Sequence, residues 1–368
     1  MNPFQITDYI SPEFFCDREG ETQKIISALE NGRDVTLTSI RRMGKTGLIK
    51  NIFYHLKSQK NLKLIYVDIL KTENMNEFIK AFADVLVKTE SHNFMKKLSK
   101  LISGIRGKII FDEMTGSPEV VFDYSDDSSA TEQSMSRIFE FLAEQKEKYY
   151  IAFDEFQQIV NYPEKNVEAI LRTFIQGQHK DRFIFSGSSK HILTSMFNDY
   201  GRPFYQSSDQ INLTRLDKDT YVDFIHHHFQ RHKKRVDKSL ILEYVENLDI
   251  YTFYVQYFFN RLFESRSVNI DKKVAHRVFM EILAEREYIY FGYRNILTKF
   301  QYKLLKAIAK EGGIKKPNSG DFMKKHNFFQ QSSINKALKS LLEKEMIYNE
   351  DGEYRVYDLF LSKWLERA

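Results

Sequence analysis

The sequence predicts an α/β protein: a parallel sheet with helices on both faces, then a helical region, then a small unit of three helices and a hairpin. Three observations carry this expectation. Short apolar, β-branched runs (DVTLTSI, LKLIYVDIL, YYIAFDEF, RFIFSGSS) alternate with amphipathic helical patterns over the first 215 residues, and such alternation implies parallel strands covered by helices. Strand signals stop near Leu216. The last segment, from about Asn295, ends in two strand-like runs around Asp351-Gly352, a hairpin signal.

Taken in order, REGETQKIISALENG is an amphipathic helix ending near Gly32. DVTLTSI follows as a buried strand, RRMGKT as a polar turn, GLIKNIFYHL as a helix and LKLIYVDIL as the next buried strand. Helical periodicity runs over 76–101. KIIFDEMTGSPEVVFDY reads as two short strands around Thr115-Gly116-Ser117-Pro118, a hairpin inserted near 108–124 that decorates the sheet. A polar loop is expected over 126–130, a helix over 131–146, a buried strand at YYIAFDEF, and a helix over 163–179 opened by Pro163. RFIFSGSS is a further strand ending in small polar residues. The expected domains are 1–215 for the α/β core, 216–294 for a region of three or so helices, and 295–368 for the last unit. There TKFQYKLLKAIAKEG, SGDFMKKHN and QQSSINKALKSLLEKEM precede the hairpin, the outline of a winged helix.

Composition narrows the function classes. At 368 residues the chain is long enough for two or three domains. A formal net charge of +5 is mild for this size and does not by itself point to nucleic acid. The 15 glycines and 6 prolines are too few for long disordered tracts, whereas 31 phenylalanines and 21 tyrosines can fill a sizeable core. The single cysteine, Cys16, rules out an internal disulfide and fits a reducing compartment. No apolar run approaches the roughly 18–20 residues of a membrane helix, and MNPFQITDYI lacks the regions of a signal peptide. The expectation is a cytoplasmic protein with no membrane partner.

Ser39-Ile40-Arg41-Arg42-Met43-Gly44-Lys45-Thr46-Gly47 carries the strongest chemical signal. A nucleoside triphosphate needs backbone N–H groups aimed at its phosphates, a mobile cation, and a hydroxyl for Mg²⁺. A buried strand delivers this turn, Gly44 allows close backbone approach, Lys45 supplies the charge and Thr46 the hydroxyl. The helix opening at Lys45 adds its positive N-terminal dipole. The first glycine of G-x-x-x-x-G-K-[ST] is replaced by Ser39. Further on, Asp154 ends an apolar strand. An aspartate so placed in P-loop NTPases holds Mg²⁺, and the neighbouring Glu155 can polarise an attacking water. Ser186 or Ser188, at the end of RFIFSGSS, stands where open α/β sheets bind ligands, to sense the γ-phosphate or position water; a plain small-residue turn is the alternative. Arg41 and Arg42 are expected to face phosphate, a neighbouring acid or another subunit; an exposed pair with no role is the alternative.

RRMGKTGLI, YIAFDEFQ, FIFSGSS and RPFYQ, followed by a helical region and a winged helix, resemble the AAA/STAND-type P-loop ATPases of prokaryotes, in particular the archaeal-ATPase-like family. The resemblance spans nearly the whole chain. It implies an ASCE P-loop core, a helical lid and a C-terminal winged-helix domain, with ATP rather than GTP, and Mg²⁺, as cofactors. It gives Lys45 and Thr46 the Walker A roles within a nucleotide-binding stretch of Ser39, Arg41, Arg42, Met43, Gly44, Lys45, Thr46 and Gly47. Thr46 and Asp154 become the metal residues, Glu155 and Lys45 the catalytic ones, and Ser188 falls in the sensor-1 region. Many relatives read leucine-tyrosine-glycine-arginine where this chain has Phe204-Tyr205-Gln206-Ser207, so the basic group near the γ-phosphate is missing here or replaced by Arg202. The implied activity is slow hydrolysis of ATP to ADP and phosphate by a nucleotide-controlled conformational switch that acts on a protein partner or on itself. The alternative is an ATP-dependent DNA-binding protein resembling origin-recognition-type initiators.

As a DNA module, the winged helix would present Asn335, Lys336 and Lys339 to the major groove and Arg355 to the phosphates. As a lid or protein-interaction unit it would report nucleotide state. Lys336, Lys339 and Lys344 are offset by Glu343, Glu345, Glu350, Asp351 and Glu353, and the lack of a basic stripe favours the lid. His226, His227, His228 and His232 invite a metal reading, but no carboxylate stands at ligand spacing and Arg231, Lys233, Lys234 and Arg235 would repel a cation. A solvated basic helix face is expected instead. Cys16 is expected as a small buried residue.

Overall fold

A computed structural model describes residues 1–89, 107–111, 118–122 and 128–367. The chain forms two compact units, Thr7–Leu216 and Met1–Ile6 with Asp217–Ala368.

The strands of the first unit are β1 (Val35–Thr38), β2 (Leu62–Asp68), β3 (Gly107–Phe111), β4 (Pro118–Phe122), β5 (Lys148–Asp154), β6 (Arg182–Gly187) and β7 (Asp209–Asn212). Its helices are α1 (Glu19–Glu30), α2 (Lys45–Leu56), α3 (Met75–Thr89), α4 (Ser128–Glu144), α5 (Val167–Gln176) and α6 (Lys190–Asn198). Five strands form one wholly parallel sheet in the order β2-β5-β6-β1-β7. All four residues of β1 are buried because the strand has neighbours on both sides and cover on both faces. On one face Phe153, Phe183 and Phe185 build an aromatic core with Phe78, Phe82, Phe139, Phe156, Phe197 and Phe204. The rings of Phe153 and Phe183 stack at 6.3 Å across neighbouring strands.

Several elements depart from the sequence expectations. The edge strand β7 went unread because DQIN, alternately half-buried and exposed, has no apolar run to announce it. β3 and β4 pair antiparallel as expected, but as a two-stranded sheet of their own beside the main one; the turn residues 115–117 lie outside the described residues. So do 90–101, the second half of the helix expected over 76–101, and 126–127 of the expected loop. The rest of that loop, 128–130, is already helical in α4, since serine suits a helix start as well as a loop. Pro163 does not open a helix. A 3-10 turn, Phe156–Asn161, follows β5, and α5 starts only after Asn166, which caps it in the left-handed region at φ 61°.

The second unit holds α7 (Lys218–Arg231), α8 (Lys238–Asn247), α9 (Thr252–Glu264), α10 (Lys272–Glu285), α11 (Glu287–Ile296), α12 (Lys299–Lys310), α13 (Gly320–Lys325), α14 (Gln331–Glu343) and α15 (Leu359–Arg367). A hairpin, Ile347–Glu350 with Glu353–Val356, separates the last two. α15, with the protein's one tryptophan, Trp364, was not read in the sequence. Where no strand was expected, Arg235–Val236 and Asn269–Ile270 form a short parallel pair. The first residues of the chain join this unit: Phe4 is fully buried against Phe229, Phe259 and Phe263, and Asn2 and Asn260 bond each other's neighbourhood reciprocally, Asn2 to the Asn260 carbonyl and Asn260 to the Phe4 carbonyl. The histidine run is not simply a solvated face. His228 is buried, with its ring edge-on to Phe224 at 4.5 Å, because α7 turns that side towards the core. No helix among the described residues is long and apolar enough to cross a membrane.

Two carboxyls lock the strand starts of the first unit. Asp34 accepts from the Phe183 amide at 2.9 Å and Asp181 from the Tyr149 amide at 2.8 Å. Burial, the dominant cause, pushes each acid up to about 6, against the opposing pull of those amides and nearby cations. Each is therefore protonated more readily in the folded than in the unfolded chain. Their contribution is fully present below the unfolded value of about 4 and is lost as pH rises through about 6. Asp181→Asn keeps the acceptor and removes the titration. Its stability relative to wild type is expected to climb by roughly 1–3 kcal/mol between pH 4.5 and 7.5 and to level off above pH 6; calorimetric melting across that range checks this, and a pH-independent difference refutes it.

Candidate functional site

The carboxyl ends of the strands converge on one site. β1 delivers the turn 39–44, β5 delivers Asp154 and Glu155, β6 delivers Ser186 and Ser188, and β2 delivers Tyr66 and Asp68. The parallel register places Asp68 level with Asp154 and Thr38 level with Gly187.

The turn holds two left-handed residues, Arg42 at φ 70° and Gly44 at φ 91°. At Gly44 this costs nothing, since no Cβ meets the following carbonyl. Gly44 is also the residue before α2, and no side chain caps that helix start, so its first amides keep their donors for another partner. Met43 is buried beneath the turn. A Cβ at Gly47 would lie 3.2 Å from the Phe15 ring, which covers the first turn of α2.

Lys45 is only 6 % exposed, and among the described residues its ammonium makes a single hydrogen bond, 3.1 Å to the Ser39 hydroxyl. Ser39 in turn donates to the Ile40 carbonyl at 2.7 Å, which leaves its oxygen lone pair to the lysine. The departure from glycine at position 39 thus supplies an acceptor that glycine lacks. Burial pulls the Lys45 pKa down; Glu155 and then Asp154 push it back up, and Arg41 adds to the depression. A buried ammonium with one neutral partner is under-satisfied, and the charge it fits is an anion.

Asp154, 3 % exposed, accepts four hydrogen bonds. Oδ2 takes the Thr46 hydroxyl at 2.7 Å and the Tyr66 phenol at 2.6 Å. Oδ1 takes the Ser186 hydroxyl and the Glu155 amide. Glu155 stands in the left-handed region at φ 58°, which turns its carboxylate towards β6. There Oε2 accepts from Gln157 Nε2 at 2.6 Å, the Ser188 hydroxyl at 2.6 Å and the Ser188 amide at 3.1 Å. Ser188 Oγ also accepts from Arg41 Nε at 3.1 Å, a bond that links the turn to the acid.

Ser39, Arg41, Lys45, Thr46, Asp154, Glu155 and Ser188 therefore fall in one network. Arg202 does not join it. Its guanidinium pairs with Glu168 on α5 at 2.5 Å, an acid whose pKa burial raises and this arginine only partly pulls back. Two participants were not read in the sequence: Tyr66 and Gln157. The ending of β2, YVD, parallels the FD ending of β5, and that likeness was the available signal for Tyr66; nothing local marked Gln157.

Residues 15–251 match a family described as an ATPase domain predominantly from Archaea, and residues 288–367 match a probable winged helix domain. The chain belongs to this archaeal-type ATPase family. No curated protein matches the chain. Among solved structures, this ATPase is similar to a Walker-type ATPase of Pyrococcus abyssi, with 20 % identity, 99 % of each chain covered and a TM-score of 0.67. It is also similar to the ORC2 protein of Aeropyrum pernix in its ADPNP–ADP complexes (13 % identity, 100 % of this chain and 96 % of that one, TM-score 0.60) and to the ORC1 protein of the same organism in complex with DNA (12 %, 97 % and 94 %, 0.52). Likenesses at such identities speak to the fold, a P-loop ATPase core with a C-terminal winged helix. The family itself makes the chain a nucleotide-binding ATPase.

Proposed function

We propose that this ATPase is a Mg²⁺-dependent, slow, STAND-type switch that binds ATP on the turn 39–47 and changes conformation with nucleotide state. The buried, under-satisfied ammonium of Lys45 at an uncapped helix start carries the reading, because both features call for the oxygens of a polyphosphate. In this reading Lys45 binds the β- and γ-phosphates, with Arg41, Arg42, Met43, Gly44 and Gly47 shaping the cradle. Thr46 and Asp154, joined by a 2.7 Å hydrogen bond, hold Mg²⁺, which supplies charge neutralisation when bound. Glu155 orients and polarises the attacking water through Oε1, which has no hydrogen bond among the described residues, and Ser188 reports the γ-phosphate. The protein has little covalent work to do, so positioning and charge carry the rate. Arg202 is occupied by Glu168, so a basic group beside the γ-phosphate has to come from elsewhere, and slow turnover follows. The output is a protein partner or self-association, and the single, buried Cys16 suits a cytoplasmic setting. The lid and winged helix are proposed to respond as parts of one compact unit.

Lys45→Ala is expected to weaken ATP binding by about 100-fold or more, since it removes the buried ammonium beside the turn. Glu155→Gln should retain binding and lose turnover by roughly 10²- to 10⁴-fold. Calorimetric titration and phosphate release measure the two, and undiminished hydrolysis in the second variant removes Glu155 from its role.

A second reading has one observation in its favour: Asn335, Lys336 and Lys339 are all exposed on α14, opposite its buried face of Ile334, Ala337, Leu338 and Leu341. Against it, Arg355 is not open to phosphates. It pairs with Glu353 at 2.9 Å and Asp249 at 3.2 Å. Fluorescence anisotropy on duplex DNA at varied salt is expected to give only non-specific affinity, roughly 10⁻⁴–10⁻⁶ M at physiological salt; binding tighter than this that Lys336→Ala weakens would favour the DNA-loading function.

A further inference from the structure

Asp154 has no acceptor capacity left. A carboxylate offers about four lone-pair sites, and all four are filled: Thr46 and Tyr66 on Oδ2, the Ser186 hydroxyl and the Glu155 amide on Oδ1. A metal held beside this acid, directly or through its water, would need one of these lone pairs, so one resident donor would have to leave. The Glu155 amide is fixed backbone. Ser186 is a fully buried strand residue. Thr46 can keep donating its proton while its own oxygen faces a cation. Tyr66 alone is dispensable. It comes from the neighbouring strand β2, is half-buried, and apart from Asp154 its hydroxyl has only the Thr46 hydroxyl as a side-chain hydrogen-bond neighbour among the described residues.

We propose that Tyr66 is a positioning residue that holds the Asp154 carboxylate in its metal-free orientation and surrenders its place on Oδ2 when Mg²⁺ enters with the nucleotide. Its hydroxyl donates to Oδ2 at 2.6 Å, so it is a donor that would compete with metal-bound water for that oxygen. This rests on the proposed Mg²⁺ reading of the site.

The test measures binding of a slowly hydrolysed ATP analogue, adenosine 5′-(3-thiotriphosphate), to the full chain in EDTA and in Mg²⁺. In Tyr66→Phe, affinity in EDTA should stay within about twofold of wild type, while the gain on adding Mg²⁺ should widen by about tenfold because no phenol has to be displaced. An unchanged or smaller gain overturns the proposal and makes Tyr66 a plain support for Asp154. No gain in wild type overturns the Mg²⁺ reading itself, a separate failure visible without the variant. Should Tyr66→Phe not fold, the near-UV difference spectrum of the wild-type analogue complex decides the matter. A blue shift of the tyrosine band on adding Mg²⁺ supports a phenol leaving its carboxylate, and a flat tyrosine region overturns it.

Discussion

One carboxylate holds the carboxyl edge of the sheet together. Asp154 ends β5 and reaches Thr46 at the start of α2, Tyr66 on β2, Ser186 on β6 and the amide of its own neighbour. Through it, four elements that are distant in sequence share a single charged atom group. All four partners are neutral donors, which satisfy the buried charge without cancelling it. The position of Thr46, and with it the first turn of α2, is thereby set relative to the strands whatever the loop 39–44 does.

A second device fixes the neighbouring acid. Glu155 lies in the left-handed region, which an ordinary residue occupies only when its surroundings compel it. The compulsion is visible in three donors on Oε2, from Gln157 and Ser188. Gln157 reaches Glu155 only because position 187 is glycine, for a Cβ there would fall 1.9 Å from Gln157 Oε1. The 3-10 turn after β5 belongs to the same arrangement: Phe156 is anchored in the aromatic core against Phe185 at 4.7 Å, and the tight turn brings Gln157 back over the strand ends. Packing on one side of the sheet thus sets side-chain geometry at its edge.

Strands buried on both faces are legible in a sequence because they are uninterrupted apolar runs, and β1, β5 and β6 were read on that ground, as was the turn between β1 and α2. β7 was not, since an edge strand covered on one side has half as many apolar positions and DQIN has one. The late start of α5 was missed because Pro163 has two uses, the first turn of a helix and the extended connection it actually serves, and only tertiary context chooses between them. Within the site, Asp154 and Glu155 announced themselves through their place at a strand end. Tyr66 did not, because a tyrosine in an apolar strand reads as core. Its hydroxyl acquires meaning only from register, which places β2 against β5. Arg202 was read as a substitute for a missing cation on proximity in sequence to the divergent motif; its ion pair with Glu168, 34 positions away, could not be read from spacing.

The charge inventory bears on why a divalent cation belongs in the proposed chemistry. Lys45 and Arg41 face Asp154 and Glu155, and both acids work against the downward pull of burial on the Lys45 pKa. A triphosphate tail brings several further negative charges into this low-dielectric edge, where unbalanced charge is costly. One buried ammonium cannot offset them, and the donors on Asp154 beside the Thr46 hydroxyl are all neutral groups. In the proposed function a cation between the phosphates and Asp154 would supply the balancing charge. The carboxylate that organises this edge of the sheet would then be the same group through which the loaded site depends on Mg²⁺.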